Sequence, residues 1–179
     1  MSLNTFSVFE YRDFKTGEWK LANLYSKHEE HGYEPAQLIV GNSENWSAIS
    51  GRELFDSLYD DEEKEILYPF NAIECIDRLI EGATTATIPD DASEGAKDYY
   101  GKFCQSPEES FSKSWYKPGC ITYTLQDLSQ IEVLAHVASP GAKRFYQRHF
   151  LEIKWLLHSI ARSEYVFKNS NVRVIIWAT

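Results

Sequence analysis

No apolar run in this chain approaches the roughly 18–20 residues that a bilayer-spanning helix needs. The opening Met1-Ser2-Leu3-Asn4-Thr5 has neither the basic segment nor the apolar core of an export signal. A cytoplasmic protein with no membrane partner is therefore expected. Cysteine is scarce: Cys75, Cys104 and Cys120 form an odd, widely spaced set. That pattern argues against a disulfide framework and a four-cysteine zinc site, and reduced, partly buried thiols fit it best. Basic charge is in deficit too, with 18 Lys and Arg against 27 Asp and Glu and a net charge of -9. Phosphate binding wants a basic footprint, so a general nucleic-acid binder is disfavoured. The glycines at 17, 32, 41, 51 and 82 are isolated. No phosphate-cradling loop is present, and no nucleotide or other cofactor is expected. Repeats, low-complexity tracts and linkers are also lacking, so residues 1–179 read as one globular domain.

What remains is a core-forming composition, 43% hydrophobic and 15% aromatic, which excludes general disorder. The chain is organised by its last forty residues. Ser139 is a good N-cap, and Pro140 suits the first helical position, where its missing N–H is no loss. From there Ala142, Phe145, Tyr146, His149, Phe150, Ile153, Leu156, Leu157, Ile160 and Ala161 recur at three- and four-residue intervals. The spacing predicts one long amphipathic helix over Ser139–Val166. Val172-Arg173-Val174-Ile175-Ile176-Trp177 then has the β-branched density of a strand. Upstream, Phe6–Arg12 and Trp19–Tyr25 read as a hairpin around Gly17. Ala36–Val40 is a short strand, and Ser50 with Glu53 opens a helix burying Leu54, Phe55 and Leu58. Asn71–Glu81 is helical, with Ile73, Ile76, Leu79 and Ile80 inward and Gly82 as its stop. Asp90-Asp91-Ala92-Ser93 is a turn into a helix carrying Tyr99, Tyr100 and Phe103, and Thr124 caps the helix that follows Ile121-Thr122-Tyr123. The fold class that results is α+β: an antiparallel or mixed sheet packed against a long C-terminal helix.

Three stretches taken in order carry a resemblance. Ile88-Pro89-Asp90-Asp91-Ala92-Ser93 precedes Ser112-Lys113-Ser114-Trp115 and Thr124-Leu125-Gln126-Asp127-Leu128, and the chain closes on Asn171-Val172-Arg173-Val174-Ile175-Ile176-Trp177. With the aromatic hairpin and Glu53-Leu54-Phe55, this order resembles a family of uncharacterised proteins encoded by bacteriophages and prophages. In that family a Leu-Pro-x-Asp-x-Ser segment precedes a His-Ser-x-Ser-Trp-type segment and a short helix, and the last strand ends Arg-Ile-Val-Phe-Trp. The resemblance implies a small cytoplasmic protein from a mobile element, and no activity. Phe111 stands where the family has its histidine, and Tyr116–Tyr123 is inserted before Thr124. Chemistry proposed for that histidine therefore does not transfer.

Candidate chemistry is thin. Asp90 and Asp91 are the best-placed carboxylates, in a turn just after a strand, though aspartates before a helix are everyday turn and cap residues. Ser114 is a candidate nucleophile with His136 or His149 as base, without the glycine-flanked elbow that exposes a catalytic serine. His149 falls on the apolar stripe, where a satisfied core histidine is the plainer reading. Trp115 and Tyr116 are binding candidates that also suit anchoring a loop. His28-Glu29-Glu30-His31 lacks a stable helix, given Gly32 and Pro35, and no metal site is expected. Charge is segregated: Glu53–Glu65 holds seven acids against Lys64, while Lys143, Arg144, Arg148, Lys154 and Arg162 outnumber Glu152 and Glu164. The leading reading is an accessory protein that binds a host or phage protein through the Lys143/Arg148 patch. The alternative is a small hydrolase or transferase using Asp90 or Asp91 in a cleft near Trp115. Self-association as a homo-oligomer, through an edge strand or an aromatic patch, is the third.

Overall fold

The computed structural model describes residues 5–22, 70–104, 120–138 and 140–178. Strand β1, Thr5–Arg12, alternates: Phe6, Val8 and Glu10 face one side of the sheet, and Ser7, Phe9 and Tyr11 the other. It pairs antiparallel with the terminal strand, Val172–Ala178, in register from Thr5↔Ala178 to Tyr11↔Val172. Cys120–Thr124 pairs with the terminal strand's other edge, Thr84–Thr85 pairs with Cys120–Thr124, and Trp19–Leu21 flanks β1. Numbered along the chain as β1 (5–12), β2 (19–21), β3 (84–85), β4 (120–124) and β5 (172–178), the strands run in the order β2-β1-β5-β4-β3. Among the described residues every pairing is antiparallel, and none makes the sheet mixed. The end of the chain is thus the sheet's centre. Both faces of β5 are covered, and Val172 to Trp177 are all buried. This is why β5 reads as a continuous apolar run with only Arg173 interrupting it.

The hairpin turn forms as predicted. Asp13 accepts from the backbone N–H groups of Lys15 and Thr16 through Oδ1, at 2.8 and 3.0 Å. Gly17 supplies the left-handed residue, at φ 72°. Of the predicted second strand, Trp19–Tyr25, residues Trp19–Leu21 are a strand, and residues 23–25 lie outside the described residues. The Ala36–Val40 strand, the Ser50 cap, His28–His31, Ser114, Trp115, Tyr116 and the Ser139 cap lie outside the described residues, as do the His149 and Phe145 side chains.

Helices α1 (Phe70–Ala83), α3 (Leu125–Ala138), α4 (Pro140–His149) and α5 (Leu151–Ser163) cover the face bearing Phe9, Tyr123 and Val174. Gly82 does not stop α1, which runs on to Ala83 and straight into β3. Helix α3 is capped reciprocally: Asp127 N–H donates to Thr124 Oγ1 at 3.1 Å, and Thr124 N–H to Asp127 Oδ2 at 2.8 Å. Helix α2, Glu94–Phe103, covers the other face, where Phe6, Trp177, Tyr99, Tyr100 and Phe103 meet around Cys120. Ser93 is its N-cap, accepting from Ala96 N–H at 3.2 Å. No helix among the described residues is long and apolar enough to cross a membrane.

The single long helix expected over Ser139–Val166 is instead two, α4 and α5, joined at Phe150. The cause is local. Phe150 widens to φ -113° and ψ -24°, at the edge of the right-handed helical region. Hydrogen bonds still run through it, from Phe150 N–H to Tyr146 O and from Lys154 N–H to Phe150 O. Buried positions continue without a slip at 142, 146, 150, 153, 157 and 160. The break therefore leaves the helical phase intact.

Beyond Ser163 the chain closes in a Schellman turn. Val166 N–H reaches Ala161 O at 2.8 Å, and Tyr165 N–H reaches Arg162 O at 3.4 Å. The left-handed residue is Tyr165, at φ 55°, where glycine is usual. Holding a tyrosine there costs about 1–2 kcal/mol. Tyr165→Gly is accordingly expected to raise the unfolding free energy by about 1 kcal/mol, as measured by urea denaturation. An unchanged or lowered midpoint would show that the phenol ring stabilises this turn by contacts of its own.

Candidate functional site

Among the described residues a dense polar constellation grows from the sheet register. Glu10↔Arg173 pairing sets a carboxylate and a guanidinium side by side on the α2 face of adjacent strands. Arg173 Nε donates to Glu10 Oε2 at 2.8 Å, and Ser93 N–H donates to Glu10 Oε1 at 2.7 Å. Arg173 Nη1 donates to Asp91 Oδ1 at 3.0 Å, and Trp19 Nε1 donates to Asp91 Oδ2, also at 3.0 Å. The guanidinium carbon lies 3.8 Å from the centroid of the Trp19 ring, a close cation–π stack. Glu10 is fully buried, the Arg173 side chain is 7% exposed, and Asp91 at 61% forms the outer wall.

Chemically this is a clamp. Each of the four carboxylate oxygens is held by a donor, so β1, β2, β5 and the Asp90–Ser93 turn are tied together. Asp91 is engaged more widely than turn duty requires, while Asp90 is exposed in the turn. His136 joins neither. It is exposed on α3, across the sheet from Arg173, with its Nδ1 2.7 Å from Glu132 O. Of these residues the sequence points to Asp91 and not to Glu10. The signal available was a lone acid on the apolar side of the first strand and a lone base inside the last.

The thiols make a second group. Cys75 is exposed, Cys104 half-buried and Cys120 buried, and all three are free. Burial, with the Cys104 thiol nearby, pushes Cys120 from its ordinary 9.0 up to about 12. Burial likewise raises Tyr100, which hydrogen-bonds both Cys104 and Cys120. A thiol whose folded pKa lies above its unfolded one stabilises the fold fully below pH 9, and that contribution is lost as the pH rises to about 12. By pH 10 the loss should reach about 1.4 kcal/mol, and less in Cys120→Ala. Denaturation series at pH 8 and 10 check it, and equal losses in both proteins would show that this thiol is not the cause. No group of three or more His, Cys, Asp or Glu that could hold a metal occurs among the described residues. An open cavity of about 680 Å³ lies between α1 and α3, lined by Cys75, Leu79, Gln126, Gln130, Val133 and Leu134. Its walls are mostly apolar.

The third feature is the outward side of α4 and α5. Lys143 and Arg148 are exposed there. Because the phase survives Phe150, Arg144, Arg148, Trp155 and Arg162 recur at intervals of four, seven and seven residues opposite the buried row. Trp155 is 62% exposed, and just past the helix Tyr165 is 77% and Phe167 93% exposed. Comparison with known proteins adds no assignment: no family model matches the chain, and neither a curated protein nor a solved structure matches it.

Proposed function

We propose that this chain is an accessory protein of the cytoplasm that acts by binding another protein, and that the binding surface is the outward side of α4 and α5 with the turn that follows. The bacteriophage or prophage origin implied by the motif order belongs to this proposal and makes a host or phage protein the expected partner. The carrying observation is the exposure of Trp155, Tyr165 and Phe167 within thirteen residues. Each aromatic side chain can bury some 150–250 Å², and Trp and Tyr are enriched among the residues that dominate binding energy. The left-handed Tyr165 supports the same reading. Glycine would serve the turn at lower cost, so the strain is offset by something the ring does.

Photo-cross-linking of the full chain in its source cells tests this. A benzophenone side chain at Phe167 or Trp155 is expected to capture a discrete protein, and one at the exposed Phe14 of the hairpin turn is not. Tyr165→Gly is expected to fold at least as stably and to cross-link less. Equal capture from all three positions, or none, rejects the proposal. The hydrolase or transferase reading draws no support from Asp91, both of whose oxygens are taken up by Arg173 and Trp19, and the Trp115 it invokes lies outside the described residues.

A further inference from the structure

We infer that the partner presents an acidic segment with an apolar anchor, its carboxylates about 10 Å to either side of that anchor along a line. The inference rests on the protein-binding reading above and names its partner's chemistry. Arg148, Trp155 and Arg162 share one side of the α4–α5 rod, seven residues apart on each side of the indole. Seven helical residues rise about 10 Å, so the spacing of the two guanidinium groups about the ring is set by the rod. Arg144 extends the same line by one turn, and Lys143 and Lys168 are also exposed.

Opposing charge is sparse. Across 140–171 there are six bases (143, 144, 148, 154, 162 and 168) and two acids, Glu152 and Glu164. Lys154 is paired with Glu132 of α3, and Arg148 also has an interaction within the molecule. His158 is exposed next to the stripe. The whole chain carries -9 while this stretch carries +4, which leaves the remainder at -13. A long polyanion such as a nucleic acid would be repelled by that remainder. A short acidic segment meets only the stripe, and the surrounding negative field orients its approach. An indole flanked by arginines supplies the two residue types that most often anchor interfaces.

The test uses the full-length protein and a labelled helix-forming peptide of twenty residues, with one leucine and a glutamate seven residues to each side. Fluorescence anisotropy should show saturable binding that weakens with salt. Binding should fall about tenfold when the glutamates are replaced by lysines, and by a similar factor in Arg162→Glu or Arg148→Glu. Trp155→Ala should abolish it. Equal affinity for both peptides overturns the inference, as does tighter binding to phosphatidylserine vesicles than to the glutamate peptide. Cross-linking separates this inference from its parent. If Phe167 still captures a partner when Arg148 and Arg162 are both glutamate, the acidic partner is wrong and protein binding stands. If the unsubstituted stripe captures nothing, protein binding itself is wrong.

Discussion

Replacing Glu10 with leucine is expected to lower the unfolding free energy by about 3–5 kcal/mol. The side chain removed is fully buried and answers two donors, Arg173 Nε and Ser93 N–H. Its loss leaves a guanidinium only 7% exposed with Asp91 as its remaining carboxylate, itself 61% exposed and screened by water. A buried charge without its partner is costly, whereas an apolar pair of similar volume often is not. The double variant Glu10→Leu with Arg173→Met is therefore expected to recover most of the loss. Asp91→Asn, at the exposed end of the clamp, should cost about 1 kcal/mol or less. Urea denaturation of the four proteins decides the matter. If the double variant is no more stable than Glu10→Leu alone, the pair is held by packing around it and not by its charges.

Phe150→Ala is expected to cost about 3–5 kcal/mol as well, by a different route. The ring is buried where α4 meets α5, stacked on Tyr146 at 5.7 Å and edge-on to Tyr123 at 5.6 Å. Truncation opens a cavity between the helical layer and β4 that the surrounding side chains fill only in part. Alanine is the better helix former, so the helical signal in far-ultraviolet circular dichroism should hold or rise while the denaturation midpoint falls. Loss of helix in the folded protein would mean that Phe150 governs the backbone of the junction. A loss of less than 1 kcal/mol would mean that the ring is not core.

These two residues also mark how much could be read in advance. Phe150 was legible as a core position because three- and four-residue spacing is a local property of the chain, and burial at 142, 146, 150, 153, 157 and 160 follows it. The widening at Phe150 was not, because nothing in that spacing changes there. The turn at Asp90–Ser93 into α2, the α3 cap at Thr124 and the hairpin around Gly17 were legible for the same reason: each is settled within a few residues. The ring of Trp155 falls between positions of the apolar stripe, and only the fold showed that it is exposed. Its alignment with Arg148 and Arg162 depended on the helical phase surviving the junction.

Glu10 and Arg173 are separated by 163 positions. No local period connects them, and only the β1–β5 register makes them neighbours. By themselves the chain's composition and periodicity determined an α+β domain and the faces its helices and strands would bury. The tertiary structure alone decided that the last strand is the middle of the sheet, that Asp91 serves a clamp joining three strands and a turn, and that a basic and aromatic stripe faces outward. The physical reason is range. Side-chain alternation is fixed by bonds within a residue or two, whereas strand order and charge pairing depend on which distant segments bury one another's apolar faces.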